Sequence, residues 1–243
     1  MESGDHAYPL GAPASSPGTP PGDRPRWPAS TGLIGLGLAL VATIVLTTIV
    51  TVVYLALGFD HPEDTSSFEF AAIALQSVAF VATALLMTKR LGRPTARQFG
   101  FRPFQSSALG WALVAMVAYF VLSALYVQIA HPPQDDLPQQ LGADKSTLLA
   151  IVTGIFVIAV APPVEEFFFR GFVYQALRTR LGVLGGAVTS GLIFGAIHFK
   201  PDFLIPLAIL GTALALLFEK TGSLWPCILI HAANNAIAFS VSQ

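Results

Sequence analysis

The sequence predicts an all-α, polytopic membrane protein, a bundle of about seven transmembrane helices with its active site within the bundle. Of the 243 residues, 53% are hydrophobic and 11% are charged, whereas a soluble domain carries about 25% charged residues. Several apolar runs approach the roughly 20 residues that a helix needs to cross a bilayer. The net charge of -1 gives no reason to expect binding to nucleic acid.

The apolar runs define the expected helices in order. The first three are clear, at 33–59, 70–87 and 109–130. A fourth run starts at 147, and we expect it to continue past Pro162 and Pro163 as one kinked helix. The runs 184–199, 204–218 and 224–241 predict the last three helices. Together they form one multispanning membrane domain, 31–243.

Residues 1–30 differ in composition from the rest of the chain. They are rich in Pro, Gly and Ser, which predicts a disordered tail. We expect no cleaved signal peptide, because the first apolar run is too long for one. A single cysteine, Cys227, excludes an intrachain disulfide.

The loop charges predict an orientation in the cell membrane. The segment between the second and third helices holds five basic residues and no acidic one: Lys89, Arg90, Arg93, Arg97 and Arg102. The loops before and after it are acidic. The positive-inside rule therefore places the basic loop, and with it the N-terminus, in the cytoplasm.

Ionisable side chains are costly inside a membrane and usually mark a functional site. In this chain they concentrate in the helices after the third, within about 147–240. The candidate site residues are Glu165, Glu166, Arg170, His198, His231 and Asn235.

The spacing of these residues separates their roles. Glu166 and Arg170 are four residues apart, so they share a helical face and can pair. Glu165 points about 100° away and is free for another task. His231 and Asn235 also share a face.

The fifth helix carries a ladder of small residues at Ala187, Gly191 and Gly195. Small residues four apart allow a neighbouring backbone to come close. We expect this approach to bring His198 toward the glutamate helix.

This set of groups can activate water in two ways. A buried glutamate can act as a general base while a histidine and an amide stabilise an oxyanion. Alternatively, Glu165, His198 and His231 can hold a Zn²⁺ ion with an open water position. Composition leaves both open. The sequence has no HExxH pair, no aspartate in an apolar run and no GxSxG elbow, so water is the expected nucleophile.

Three motifs carry a family resemblance: EEFFFR at 165–170, FGAIH at 194–198 and HAANN at 231–235. In this order, the chain resembles the CPBP family, the Abi or type II CAAX-protease-like intramembrane endopeptidases. The resemblance implies that Glu165 is the general base and that His198 helps to hold the water. It further implies that His231 and Asn235 form the oxyanion site, supported by Glu166 and Arg170. The implied substrates are membrane proteins or lipidated peptides, and the family has been described both with and without a metal.

Two other functions are open from the sequence. Glu, His and Arg chains inside a membrane also occur in proton-coupled transporters and channels. A non-catalytic immunity or scaffolding protein on the same fold is the other alternative, because a fold alone does not define an activity.

Overall fold

The protein is all helical over the residues that the computed structural model describes, which are 27–92, 94–132, 141 and 146–241. Residues 1–26 of the predicted tail therefore lie outside the described residues. The first half of the membrane domain consists of α1 (Ala29–Ala56), α2 (Ser66–Lys89), a short α3 (Ala96–Phe99) and α4 (Ser107–Ala130). The three long helices match the first three predicted runs, with a few residues added at most ends.

The second half begins with a helix that contains two turns of wider, π-helical pitch. It consists of α5 (Thr147–Ile155), a π turn (Phe156–Val160), α6 (Ala161–Phe168), a second π turn (Phe169–Tyr174) and α7 (Gln175–Ala196). The chain ends with α8 (Leu204–Thr221) and α9 (Leu224–Val241). Pro162 and Pro163 stand at the start of α6, so the helix passes the prolines as one element, as the sequence predicted.

The chain reverses direction at Gly182, inside α7. Gly182 has φ 70° and ψ -177°, a conformation that is essentially restricted to glycine. Beyond it, Gly186 lies so close to Arg178 that an added Cβ would be 2.9 Å from the Arg178 Cα. We therefore treat 147–181 as one helix, called the long helix below, and 183–196 as the helix that returns.

This reversal accounts for the number of membrane crossings. Six helices are long and apolar enough to span a membrane, and one of them is the 50-residue stretch Thr147–Ala196. A straight helix of that length would measure about 75 Å, more than twice the hydrocarbon thickness of about 30 Å. The stretch instead folds into two helices, which confirms the predicted bundle of about seven.

The returning helix packs tightly on α8. A Cβ on Gly191 would lie 2.5 Å from the Ala208 carbonyl oxygen, and a Cβ on Gly195 would lie 2.6 Å from that of Leu204. Gly211 faces Gly191 from α8, where a Cβ added to Gly211 would lie 2.8 Å from the Gly191 Cα. The small-residue ladder is thus a surface of close approach, as predicted, but its partner is α8 and not the glutamate helix.

A short segment around α3 closes one end of the bundle. The Gln175 side chain donates to the Gln98 carbonyl at 2.9 Å, and the Leu224 N–H donates to the Gly100 carbonyl at 2.9 Å. The ring of Phe99 packs on Phe167, which follows the glutamate pair, with the ring centroids 4.7 Å apart. This segment joins the long helix to the start of α9, the two elements that carry most of the candidate site.

The outer surface of the bundle is apolar and part of its interior is charged. Ile44 on α1 and Leu113 on α4 are more than 60% exposed, whereas Glu166 and Arg170 are completely buried. This is the reverse of a soluble protein, in which large exposed apolar patches are rare and buried charges are rarer. The surface fits a surrounding lipid bilayer.

Candidate active site

The centre of the candidate site is a buried cluster of Glu166, Arg170 and His231. The Oε1 atom of Glu166 lies 2.9 Å from Arg170 Nη1 and 2.8 Å from His231 Nδ1. Glu166 and Arg170 are completely buried, and His231 is 3% exposed. The predicted pairing of Glu166 with Arg170 is present, because neither charge can be buried cheaply alone. The contact to His231, on another helix, adds a third member to the pair.

Arg170 is held from three sides. Besides Glu166, its Nη2 donates to the Gly211 carbonyl at 3.2 Å. Its guanidinium lies over the ring of Phe194, 4.6 Å from the centroid, where the electron-rich face attracts a cation. Arg170 thereby links the long helix to the returning helix and to α8, so the cation is a structural centre of the site.

The short Arg170–Glu166 contact is an ion pair without an aligned hydrogen bond. Arg170 Nη1 is 2.9 Å from Glu166 Oε1, yet Nη1 makes no hydrogen bond of good geometry. Arg170 Nε and Glu166 Oε2 are also without a hydrogen-bond partner among the described residues. The attraction between the two charges is therefore mainly Coulombic, which is strong in a buried setting of low polarity.

His231 lies between the two glutamates, with one ring nitrogen toward each. Its Nδ1 is 2.8 Å from Glu166 Oε1, and its Nε2 is 3.8 Å from Glu165 Oε2. Since Glu166 is paired with Arg170, its carboxylate accepts and His231 Nδ1 donates. The second nitrogen, Nε2, is then the one that faces Glu165.

Glu165 differs from Glu166 in its surroundings, as the spacing predicted. Its side chain is 23% exposed, whereas that of Glu166 is fully buried. Its Oε2 atom is buried and has no hydrogen-bond partner in the described part of the chain. A buried carboxylate oxygen without a partner is unusual and needs an explanation, of which a bound water is one.

His198 lies just past the end of the returning helix. Its Nδ1 is 2.6 Å from the Phe194 carbonyl oxygen. A carbonyl oxygen only accepts, so Nδ1 carries the proton and Nε2 is the free nitrogen of the neutral ring. Its ring packs on Phe194 with a centroid distance of 4.8 Å, and Phe194 in turn contacts the His231 ring at 5.6 Å.

Asn235 lies one turn after His231 on α9. Its Nδ2 donates to the carbonyl of Val157 at 3.0 Å, and its Oδ1 accepts from Asn234 Nδ2 at 3.3 Å. Val157 belongs to the first π turn. A side-chain amide has two N–H donors, so the bond to Val157 uses one and the second can donate to another acceptor.

Phe194 and Gly211 contribute to the site although the sequence analysis assigned them no role. Phe194 is completely buried and contacts Arg170 and both histidines. Its position as the first residue of the FGAIH motif was the signal in the sequence that could have identified it. Gly211 lies on a helix with no site residue, and nothing in the sequence pointed to its carbonyl.

The candidate zinc ligands of the site are Glu165, His198 and His231. A zinc site requires about three protein ligands that converge on one point. Among the described residues, no three His, Cys, Asp or Glu side chains are so arranged. Glu165 and His231 approach each other, with Glu165 Oε2 3.8 Å from His231 Nε2, but His198 does not join them in one group of ligands. The three residues do not fit a metal in this arrangement.

Fold and site together define a multi-pass membrane protein with a glutamate–histidine centre inside its helix bundle. Residues 146–237 match the family model of Rce1-like type II CAAX prenyl endopeptidases. This stretch covers the long helix, the returning helix, α8 and most of α9, and contains all six candidate residues. This region of the chain is therefore similar to the Rce1-like family, which confirms the resemblance found in the sequence.

Two curated relatives agree with this similarity, and the chain spans less than two thirds of the length of the second and about two thirds of the first. A protein of Bacillus subtilis (strain 168) named "Putative membrane peptidase YdiL" is 30% identical over 166 residues, which is 65% of this chain and 66% of the relative. An "Uncharacterized 24.3 kDa protein" of Escherichia coli is 29% identical over 126 residues, which is 50% of this chain and 58% of the relative. No solved structure matches the chain.

Proposed function

We propose that the protein is an intramembrane endopeptidase that hydrolyses peptide bonds of membrane-associated proteins with a water molecule activated by Glu165. One observation carries the proposal. The Glu165 Oε2 atom is buried without a hydrogen-bond partner among the described residues, 3.8 Å from His231 Nε2. The similarity to the Rce1-like family and the name of the Bacillus relative support a peptidase.

The chemical step divides between the two glutamates. Glu165, the more exposed of the two, takes a proton from water while the oxygen attacks the peptide carbonyl. The same proton then passes to the leaving amine, so that Glu165 returns to its starting state. His198 supplies Nε2 as an acceptor that helps to orient the water.

His231 and Asn235 are proposed to stabilise the oxyanion. His231 can donate from Nε2 only when both ring nitrogens are protonated, because Nδ1 already donates to Glu166. When His231 is an imidazolium, its positive charge and that of Arg170 balance the carboxylates of Glu165 and Glu166. The four side chains then carry no net charge. The second N–H of Asn235 provides the other donor. Glu166 and Arg170 act through His231 and are positioning residues.

The substrate class and the setting follow from the family and from the loops. We infer substrates that reach the site from the membrane, either as membrane proteins or as lipidated peptides of the type named in the family description. We infer that the bilayer is the cell membrane and, from the positive-inside rule, that the basic loop and the N-terminus face the cytoplasm. The proposed step uses no metal, since the candidate ligands do not converge.

A cleavage assay with matched variants tests this function. Purified protein in liposomes is expected to cleave a prenylated CAAX peptide, and Glu165→Gln is expected to lower kcat on the order of a thousandfold by removing the base. Glu63→Gln is the control, because Glu63 is an exposed glutamate on the turn Pro62–Asp64, far along the chain from the site. Full activity of Glu165→Gln would refute the assignment.

The same preparation tests the role of a metal. Activity is expected to survive prolonged chelation followed by removal of the chelator. Loss of cleavage that Zn²⁺ restores would show that a metal carries the reaction.

A second candidate function is favoured by the continuity of the cluster. Glu165, His231, Glu166 and Arg170 form a chain of neighbouring polar groups, and such chains conduct protons in transporters. Proton flux into liposomes that disappears in Glu165→Gln, in the absence of any cleavage, would favour a transporter. A cellular phenotype that survives Glu165→Gln would instead favour a non-catalytic scaffold.

A further inference from the structure

The first π turn and the two prolines that follow it leave the backbone carbonyls of Val157 and Ile158 without an α- or π-helical partner, because residues 162 and 163 have no N–H. The N–H of Ala161 bonds to the Phe156 carbonyl, five residues back, as π-helical pairing requires. The Val157 carbonyl could pair only with the N–H of residue 161 or of residue 162. The first is already used, and the second does not exist because residue 162 is proline.

An unpaired carbonyl inside a membrane is costly, because no water is present to replace the lost bond. The structure supplies a partner from another helix, since Asn235 Nδ2 donates to the Val157 carbonyl at 3.0 Å. The amide thus reaches one of the two carbonyls that the π turn and the prolines deprive of a helical donor.

This bond lies next to the candidate site on both helices. Asn235 is one helical turn from His231 on α9, on the same face. Val157 is about two turns before Glu165 on the long helix. The two helices are therefore joined twice, once by Asn235 and Val157, and once by His231 and Glu166.

We propose that Asn235 is a positioning residue. Its amide donates a hydrogen bond to the Val157 carbonyl, which Pro162 leaves without a helical donor, and this bond holds both glutamates in register with His231. This proposal concerns the same site as the proposed function and rests on it where activity is the readout. It assigns Asn235 a task besides oxyanion stabilisation, using the other proton of its amide. It also gives a role in the site to Pro162, which lies eight residues before Arg170.

A double-mutant cycle in detergent tests the hydrogen bond without any assay of activity. Asn235→Ala is expected to lower the midpoint of thermal unfolding clearly in the wild-type background. In Pro162→Ala the new N–H can serve the freed carbonyls, so the same change is expected to lower the midpoint by less than half as much. Asn235→Asp, of equal size but without the donor, should behave like Asn235→Ala. Ser240→Ala is the control, because that hydroxyl donates only within α9, to Ala236.

The positioning role is tested by kinetics on the four proteins of the cycle, which are the wild type, Asn235→Ala, Pro162→Ala and the double variant. Asn235→Ala is expected to lower kcat on the order of a hundredfold, a typical cost of displaced reacting groups, with little change in KM. Part of that kcat is expected to return in the double variant with Pro162→Ala.

The outcomes separate the two proposals. Additive midpoints would overturn the hydrogen-bond assignment whatever the activity. Coupled midpoints with no recovery of kcat would overturn the positioning role and leave Asn235 as an oxyanion donor alone. If the wild type cleaves nothing, the proposed function fails, while the thermal cycle still decides the role of the bond.

Discussion

At the scale of single residues, the site depends on how one carboxylate is shared. Glu166 accepts from His231 and compensates Arg170, and all three are buried. Removing one member of a buried ion pair leaves the other charge without compensation, which costs about 3–5 kcal/mol. Replacing both members by groups of similar shape costs much less. Arg170 is therefore expected to behave as a structural residue as well as an electrostatic one.

We expect Arg170→Met to lower the free energy of unfolding by about 3–5 kcal/mol, because Glu166 keeps its charge without the guanidinium. Arg170→Met combined with Glu166→Gln should recover much of that loss, although activity should stay low because His231 then lacks its carboxylate partner. Denaturant unfolding in detergent, followed by circular dichroism, measures both effects. Equal destabilisation by the single and the double variant would contradict the ion-pair account.

At the scale of helices, packing of the returning helix against α8 sets the place of Phe194 and Gly211. The two backbones approach so closely at Gly191 that its added Cβ would collide with the Ala208 carbonyl and with Thr212. Phe194, three residues later, stacks on Arg170. An added methyl group at this contact should therefore disturb the site from a distance.

Gly191→Ala is expected to destabilise the protein by about 1–3 kcal/mol, the usual cost of overpacking. It should also lower cleavage, because the helices must separate. Gly37→Ala is a matched control in α1, where an added Cβ meets nothing within 4 Å. Alanine there should be neutral or slightly stabilising, because it favours a helix by up to about 1 kcal/mol over glycine. Thermal unfolding of both variants would decide, and equal midpoints would refute the packing argument.

The helices and the site differ in how far local sequence predicts them. The apolar runs marked every membrane helix except the long one to within a few residues, because burial in lipid requires a continuous apolar stretch. The run of the long helix marked its start at 147 but not its end. The spacing of Glu166 and Arg170 predicted their pairing, since it depends on one helix alone. The approach of His231 to both glutamates depends on how two helices pack, and no local pattern encodes that. The π turns and the bond from Asn235 to Val157 were missed for the same reason.

At the scale of the whole molecule, the charges at the two ends of the bundle are unequal. The last residue of α2 and the loop from there to α4 together carry five basic residues, and the turn between α1 and α2 carries Asp60, Glu63 and Asp64. Since α1 and α2 each cross the bundle, these two loops lie at opposite ends. The positive-inside rule then predicts which end faces the cytoplasm.

Cysteine labelling measures this orientation directly. We expect Arg90→Cys to react with a membrane-impermeant maleimide only in inside-out vesicles, and Asp64→Cys only in right-side-out vesicles. The native thiol is a built-in control, because Cys227 is completely buried and should stay unlabelled in both until the protein is denatured. The reverse pattern would place the basic loop outside. It would also move the α3 segment, whose Phe99 packs on Phe167 next to the glutamate pair, to the membrane face opposite the one at which the proposed lipidated substrates would arrive.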